Sequence, residues 1–316
     1  MTTYARVVLP RWDPQGDPAV LRAEISEWAT SAALRELVEC FGETWPSGDV
    51  LAGLAEISAR HWDFRRGGER ATARRREFPA DVTERVRAAA SALGLRHRDR
   101  PSRDRYDHVL IHGGLVRSCL LRARYAATLL DRHVTGGTVC GLGSVRPTTE
   151  PERAVAAERG AGDCPTEFAA MDLAVRAAFP GLRRLPDPGG PAPLIHDYRA
   201  PDGRRLRVLA APSTDPARRA NTADTCAFWA DSRVGPGSLS GESVLLVTTE
   251  HFVPFQQADA IRTLGIPYGC AVETVGLDPA AAADPSLRHA LTTAEYLQEI
   301  RSAIRSMRLL HAALER

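Results

Sequence analysis

Apolar residues recur at helical spacing through the first ninety positions. Ala19, Leu21, Ile25 and Trp28 share one face, and Ala33, Leu34, Leu37 and Val38 form a second. A further stretch, 47–58, opens with a cap at Ser47 or Asp49 and carries Val50, Leu51, Leu54 and Ile57. The pattern next predicts a helix over 80–94, stopped by Gly94. The charged run 96–104, broken by Pro101, reads as a linker. These positions predict a helical N-terminal region, 1–100.

Beyond the linker the period changes. His108-Val109-Leu110-Ile111-His112 is a short apolar strand followed directly by Gly113-Gly114, and 115–131 is an amphipathic helix. Val134 and Thr135 before Gly136-Gly137 suggest a second strand ending in a glycine pair, although Val139-Cys140-Gly141 extends the apolar run. Further helices are expected at 167–179, 222–229, 256–264 and 293–314, and strands at 205–210, 243–248 and 268–274. The stretch 186–193 is too rich in Pro and Gly for a regular element. Strands alternating with helices, and apolar on both faces, predict an α/β domain over 101–316. Its sheet is expected to be mainly parallel and Rossmann-like, with helices on both faces and a C-terminal closing helix.

Composition narrows the functional classes. Forty-one basic against 39 acidic residues leave a net charge of +2, with no basic excess to neutralise phosphates, so no nucleic-acid partner is expected. Every basic residue apart from histidine is Arg, so arginine number is weak evidence and position matters. No stretch approaches a membrane span, and residues 1–6 lack a signal-peptide pattern. Cys40, Cys119, Cys140, Cys164, Cys226 and Cys270 are scattered, without CxxC or zinc spacing. They read as reduced packing residues of a cytoplasmic protein, and no metal site is expected.

In an open parallel sheet, ligands sit beyond the carboxyl ends of strands. Polar and glycine residues fall at such positions repeatedly: His112, Gly113 and Gly114; Thr135, Gly136 and Gly137; Asn221 and Thr222; Thr249 and His251. Arg117, in the first turn after Gly113-Gly114, and Arg219, just before Asn221, could clamp a phosphate or carboxylate. Glu167 and His251 are the candidate general acid or base. Each has a plainer alternative: tight turns for the glycines, a helix cap for Asn221, a favourable first-turn charge for Glu167, a solvated face for the arginines. Neither glycine pair forms a GxGxxG or Walker sequence, and no GxSxG, HExxH or kinase motif is present. In the cluster Trp62-Asp63-Phe64-Arg65-Arg66, Trp62 and Phe64 are expected to dock the helical region onto the core, and Arg65, Arg66 or Glu69 could close over the site. His196-Asp197 could be an acid–base pair, but adjacent residues normally face apart and nothing supplies a nucleophile partner.

The order of these motifs resembles the DUF218 (YdcF-like) family over residues 106–276. The sequence of features is Gly113-Gly114, Arg122-Ala123-Arg124-Tyr125-Ala126, Thr135-Gly136-Gly137, Thr166-Glu167 with Met171, Asn221-Thr222, Val247 to His251, and Leu264-Gly265-Ile266-Pro267. The resemblance implies a Rossmann-like cleft at the strand ends and makes S-adenosylmethionine a possible cofactor. In that family Arg often follows the histidine; here His251-Phe252-Val253-Pro254-Phe255 departs from it. Residues 1–100 have no counterpart there.

Together these features point to an enzyme acting on a polar anionic small molecule, nucleotide- or nucleoside-like, by hydrolysis or group transfer. Two alternatives stay open: a non-catalytic binder of S-adenosylmethionine or a nucleoside, and an interaction protein acting through the helical region.

Overall fold

The computed structural model describes residues 3–65, 76–96, 100–132, 135–186, 194–215, 220–232 and 239–315. Four helices come first: α1 (Pro18–Ala29), α2 (Ala32–Cys40), α3 (Val50–His61) and α4 (Ala80–Ala92). Asp17 and Asp49 cap α1 and α3 by accepting from Ala19 and Ala52 N–H, satisfying donors that a helix start leaves open. Trp28, fully buried, ties α1 to the end of α4 by donating Nε1 to the Leu93 carbonyl at 3.3 Å.

The α/β part follows in the order β1 (Arg105–Ile111), α5 (Val116–Arg132), β2 (Thr135–Gly143), α6 (Glu150–Ala157), α7 (Glu167–Ala178), β3 (Arg183–Arg184), β4 (Ile195–Arg199), β5 (Arg205–Ala210), α8 (Thr222–Asp231), β6 (Ser243–Thr249), α9 (Val253–Ala260), α10 (Ile266–Tyr268), β7 (Ala271–Leu277) and α11 (Thr293–Ala313). Among the described residues, seven strands form one sheet in the order β3-β4-β5-β2-β1-β6-β7. The five strands from β5 to β7 are parallel; β3 and β4 add an antiparallel edge.

Alternate residues of the central strands enter two different cores, as the two-residue period of a strand requires. Leu110, Cys140, Leu142, Val244 and Leu246 pack with the N-terminal helices, α8, α9 and α11. Val109, Ile111, Val139, Leu245 and Val247 pack with α5 and α7. The helical region therefore shares one continuous apolar core with a sheet face. Among the described residues no helix is long and apolar enough to cross a membrane.

Three sequence expectations change. The second strand does not end at Gly136-Gly137 but begins there, Gly136 pairing with Tyr106 near the amino end of β1. The apolar run 139–142 is its centre. The last strand is Ala271–Leu277 rather than 268–274, because α9 continues through a π-helical turn (Ile261–Gly265) into α10. β4 was not anticipated: its residues are polar enough to read as loop, and it lies one strand in from the sheet's edge, covered there only by the two-residue β3.

Candidate functional site

The parallel strands run outward from β1 in two directions. β1 leads through α5 to β2 on one side, and β5 leads through α8 across to β6 on the other. The loops leaving β1 and β6 consequently turn to opposite faces, α5 packing in one core and α9 in the other. In open α/β sheets such a reversal marks the crevice at the carboxyl edge where ligands bind.

One lip is His112-Gly113-Gly114 and the other is Thr249-Glu250-His251. His112 N–H donates to the Val247 carbonyl at 3.1 Å, fixing the two strand ends side by side. Arg122 of α5 staples the lips. Its Nη1 donates to the carbonyls of His112 (3.1 Å) and Gly113, and its Nη2 to Thr249 Oγ1 at 3.0 Å. The side chain is fully buried, with its guanidinium 5.3 Å from the Phe252 ring centroid. Burial, reinforced by the Arg122 charge, pushes His112 down to about 3, so its imidazole is neutral. His112 Nε2 is buried and has no hydrogen-bond partner among the described residues.

The floor comes from the true exit of β2. Ser144 donates Oγ to Glu167 Oε2 at 2.6 Å, and backbone bonds from Glu167 N–H to the Arg146 carbonyl and Phe168 N–H to the Ser144 carbonyl (both 2.9 Å) lock α7 onto this loop. Thr166 caps α7 and aims Glu167 from its first turn. A Cβ at Gly113 would lie 2.3 Å from Glu167 Oε1 and 2.4 Å from the Leu142 carbonyl oxygen. Glycine is therefore required there for the carboxylate to reach the β1 loop.

Arg146 joins this group to α6. It pairs both oxygens of Glu152, at 2.8 and 3.0 Å, donates to the Gly114 carbonyl at 3.1 Å, and passes 3.6 Å from Glu167 Oε2. Burial alone would raise the Glu152 carboxyl; Arg146 and the Thr149 N–H overcome it and hold Glu152 below the ordinary carboxylate range. The hydrogen bonds to Glu152 raise the Arg146 guanidinium further still. Glu152 Oε1 also accepts from Val116 N–H at 3.3 Å, taking one first-turn donor of α5.

The donors left over decide what the crevice can hold. Among the described residues nothing accepts from the N–H groups of Gly113, Gly114 or Leu115. Arg117, half-buried in the first turn of α5, has no hydrogen-bond or ion-pair partner among them, and its Nε is buried. Successive open N–H groups at a helix start make a place for an anion, and Arg117 is the cation in the same first turn. Cys119 lies below, but burial and then the Glu167 charge push its thiol up to about 12, so it is no nucleophile at neutral pH.

Of the sequence candidates, His112, Gly113, Gly114, Arg117, Glu167, Thr249 and His251 share this edge. Thr135, Gly136 and Gly137 do not; they start β2 at the opposite edge. Packing accounts for the glycines there: a Cβ at Gly136 would lie 2.8 Å from Leu130 Cδ2, and one at Gly137 2.6 Å from the Asp107 carbonyl oxygen. Asn221 and Thr222 begin α8 after β5, and Asn221 spends its side chain in a capping box with Asp224. Arg219 lies outside the described residues, as do Arg66, Glu69 and positions 187–193. Arg65 pairs with Glu299 of α11, tying the helical region to the closing helix. His196 pairs with Asp172 of α7 at 2.7 Å, while Asp197 takes Arg207. Sequence reading missed Ser144, Arg146 and Glu152. The available signal was the apolar run ending Leu142-Gly143-Ser144, masked by the earlier Gly136-Gly137. Arg122 had its own signal, a charge set among Cys119, Leu120, Ala123 and Ala126 on a buried face.

Comparison with known proteins places the chain. Residues 12–94 match the family model of the Rv3785 N-terminal domain. The chain is 32% identical over 352 residues to protein Rv3785 of Mycobacterium tuberculosis and to protein Mb3814 of Mycobacterium bovis, covering 100% of this chain and 97% of each relative. The chain belongs to the Rv3785 family. That finding overturns the DUF218 resemblance: the match to Rv3785 proteins runs end to end and includes the helical region that DUF218 leaves unexplained. The Thr-Gly-Gly motif that helped carry the resemblance also sits at the wrong edge of the sheet. S-adenosylmethionine rested on that resemblance alone and loses its support. No solved structure matches the chain. The names of these Rv3785 relatives state no activity, so the functional reading rests on the crevice.

Proposed function

We propose that this Rv3785-family chain is an enzyme acting on a nucleotide-like small molecule at the carboxyl-edge crevice. The strand order β5-β2-β1-β6-β7 is that of a Rossmann-like sheet, whose switch point lies between β1 and β6. The observation that carries the reading is one anion seat, Gly113 to Leu115 with Arg117, beside one hydrogen-bonded carboxylate, Glu167. A ligand filling both needs a negative group and, next to it, a hydroxyl or amine, because Glu167 would repel a second anion. A phosphorylated, hydroxyl-bearing molecule meets that demand.

In this reading the Gly113–Leu115 N–H groups and Arg117 hold the anionic group and any charge that develops on it. Glu167, steadied by Ser144, takes or gives the proton, with His251 as the second candidate from the other lip. The class of reaction is hydrolysis or group transfer.

The test titrates the purified chain with nucleoside monophosphates and their nucleosides by calorimetry and follows each bound probe for conversion. Glu167→Gln keeps the shape and one acceptor but carries no proton. The expected result is binding of a monophosphate, with conversion slowed about 10²- to 10⁴-fold in the variant and affinity kept. Absence of binding at millimolar concentration, or conversion unchanged in the folded variant, contradicts the proposal.

A further inference from the structure

The opposite edge of the sheet carries a cavity that the crevice does not use. The segment before α1 crosses the outer strand β7, with Trp12 bridging antiparallel to Val272. Gln257 of α9 holds it there by donating Nε2 to the Pro10 carbonyl at 3.2 Å. Between this strap, α1, the amino ends of β1 and β6, and β7 lies a space of about 560 Å³. That is within the range of small-molecule pockets, about 300–1,000 Å³.

Its walls are unevenly satisfied. The formal charges balance, with Arg6, Arg11, Arg100 and Arg103 against Asp13, Asp17, Glu24 and Glu273. The carboxylates, however, are already engaged by the chain's own donors. Asp13 accepts from Gln15 N–H at 3.0 Å, Asp17 from Ala19 N–H at 2.8 Å, and Glu24 from Arg11 N–H at 2.8 Å. Glu273 accepts from Ser102 N–H at 2.9 Å, from Ser102 Oγ at 2.6 Å and from the Tyr106 hydroxyl. The guanidinium groups of Arg11, Arg100 and Arg103 have no acceptor among the described residues.

Two further observations converge on the same space. Val8 and Val20, 51% and 58% exposed, are two of the few large apolar side chains left in water among the described residues, and both line it. Gln257 Oε1 and Thr274 Oγ1, on residues that also line it, are buried and unpartnered among the described residues. Unclaimed cations at a mouth flanked by exposed apolar side chains suit a ligand with a charged head and an apolar body.

We infer that this cavity is a second binding site, for an organic anion carrying a carboxylate or phosphate head on an apolar body. It is independent of the crevice: Tyr106, Ser243 and Ala271 line it at the amino ends of β1, β6 and β7, whereas the crevice lies at the carboxyl ends.

The experiment titrates the full chain with octanoate, octyl phosphate and neutral octanol, using displacement of 8-anilinonaphthalene-1-sulfonate fluorescence and calorimetry. The expected result is one site per chain for octanoate or octyl phosphate, the better of the two naming the head group, with octanol ineffective. The exposed double variant Arg11→Ala/Arg103→Ala should keep the wild-type melting temperature and lose about tenfold or more in affinity. Arg117→Ala, in the crevice, should bind as wild type. No binding of either anion at millimolar concentration, an affinity unchanged in the double variant, or a loss in Arg117→Ala instead would overturn the inference and leave the crevice reading standing.

Discussion

Replacing Arg146 by Met removes the charge from the crevice floor while keeping most of its packing. Arg146 and Glu152 are 11% and 7% exposed, so the pair is desolvated and its loss is not screened as a surface pair would be. Breaking one partner of such a pair costs about 3–5 kcal/mol. Glu152 keeps donors from Thr149 and Val116, which places the expected loss at the lower end, about 3 kcal/mol at pH 7. The pH dependence has a defined sign. In the native chain the Glu152 carboxyl is depressed, so the stability it contributes is present above the ordinary carboxylate range and lost as pH falls through the depressed value. In the variant the cation is gone and burial dominates, so the orphaned charge is relieved by protonation. The destabilisation should therefore shrink as pH falls from 7 to about 4.5, near the ordinary value of a glutamate. Urea unfolding of both proteins at the two pH values reads this directly. Adding Glu152→Gln to the variant should recover part of the loss. A loss under about 1 kcal/mol, the range of exposed pairs, or the same loss at both pH values would refute the reasoning.

Three other outcomes follow from the same geometry. Gly113→Ala sets a Cβ against Glu167 and the Leu142 carbonyl oxygen, so it should cost about 1–3 kcal/mol by overpacking; unchanged urea unfolding would mean the carboxylate does not sit there. The His112 ring resonances should stay fixed between pH 5 and 8, because its neutral form persists to about 3; a titration in that window would contradict its burial. Of the six cysteines, Cys40 alone is partly exposed, so Ellman's reagent should label it first in the native chain and reach the other five only on unfolding; rapid native labelling of several thiols would contradict the packing.

The parts of the fold that were legible are those where one physical signal dominates. Trp28, Leu34 and Leu54 lie on strict helical spacing and are buried as that spacing requires. β6 is apolar at four of its seven positions and is buried along its whole length, as a strand covered on both faces must be. The error at β2 has a clear cause. A glycine pair signals a turn when nothing else is known, yet Gly136 and Gly137 are glycines because Leu130 and the Asp107 carbonyl leave no room for a Cβ. That is a tertiary fact with no local trace. It also hid Ser144, Arg146 and Glu152, because ending the strand at Gly137 instead of Gly143 moves the loop that holds them. Glu167 was legible as a helix-start carboxylate, but its reach to Gly113 depends on how α7 docks against β2. The pairing of His196 with Asp172 is equally non-local.

The measurement closest to the central claim is the affinity increment that a phosphate brings. A nucleoside monophosphate and its parent nucleoside would be titrated into the wild-type chain and into Arg117→Ala, whose fold is checked by its melting temperature. The account predicts that the phosphate improves binding about tenfold or more in the wild type, worth about 1.4 kcal/mol, and that this increment disappears in Arg117→Ala while nucleoside affinity stays the same. An equal increment in both proteins, or no binding of any monophosphate, would show that the first turn of α5 is not an anion seat.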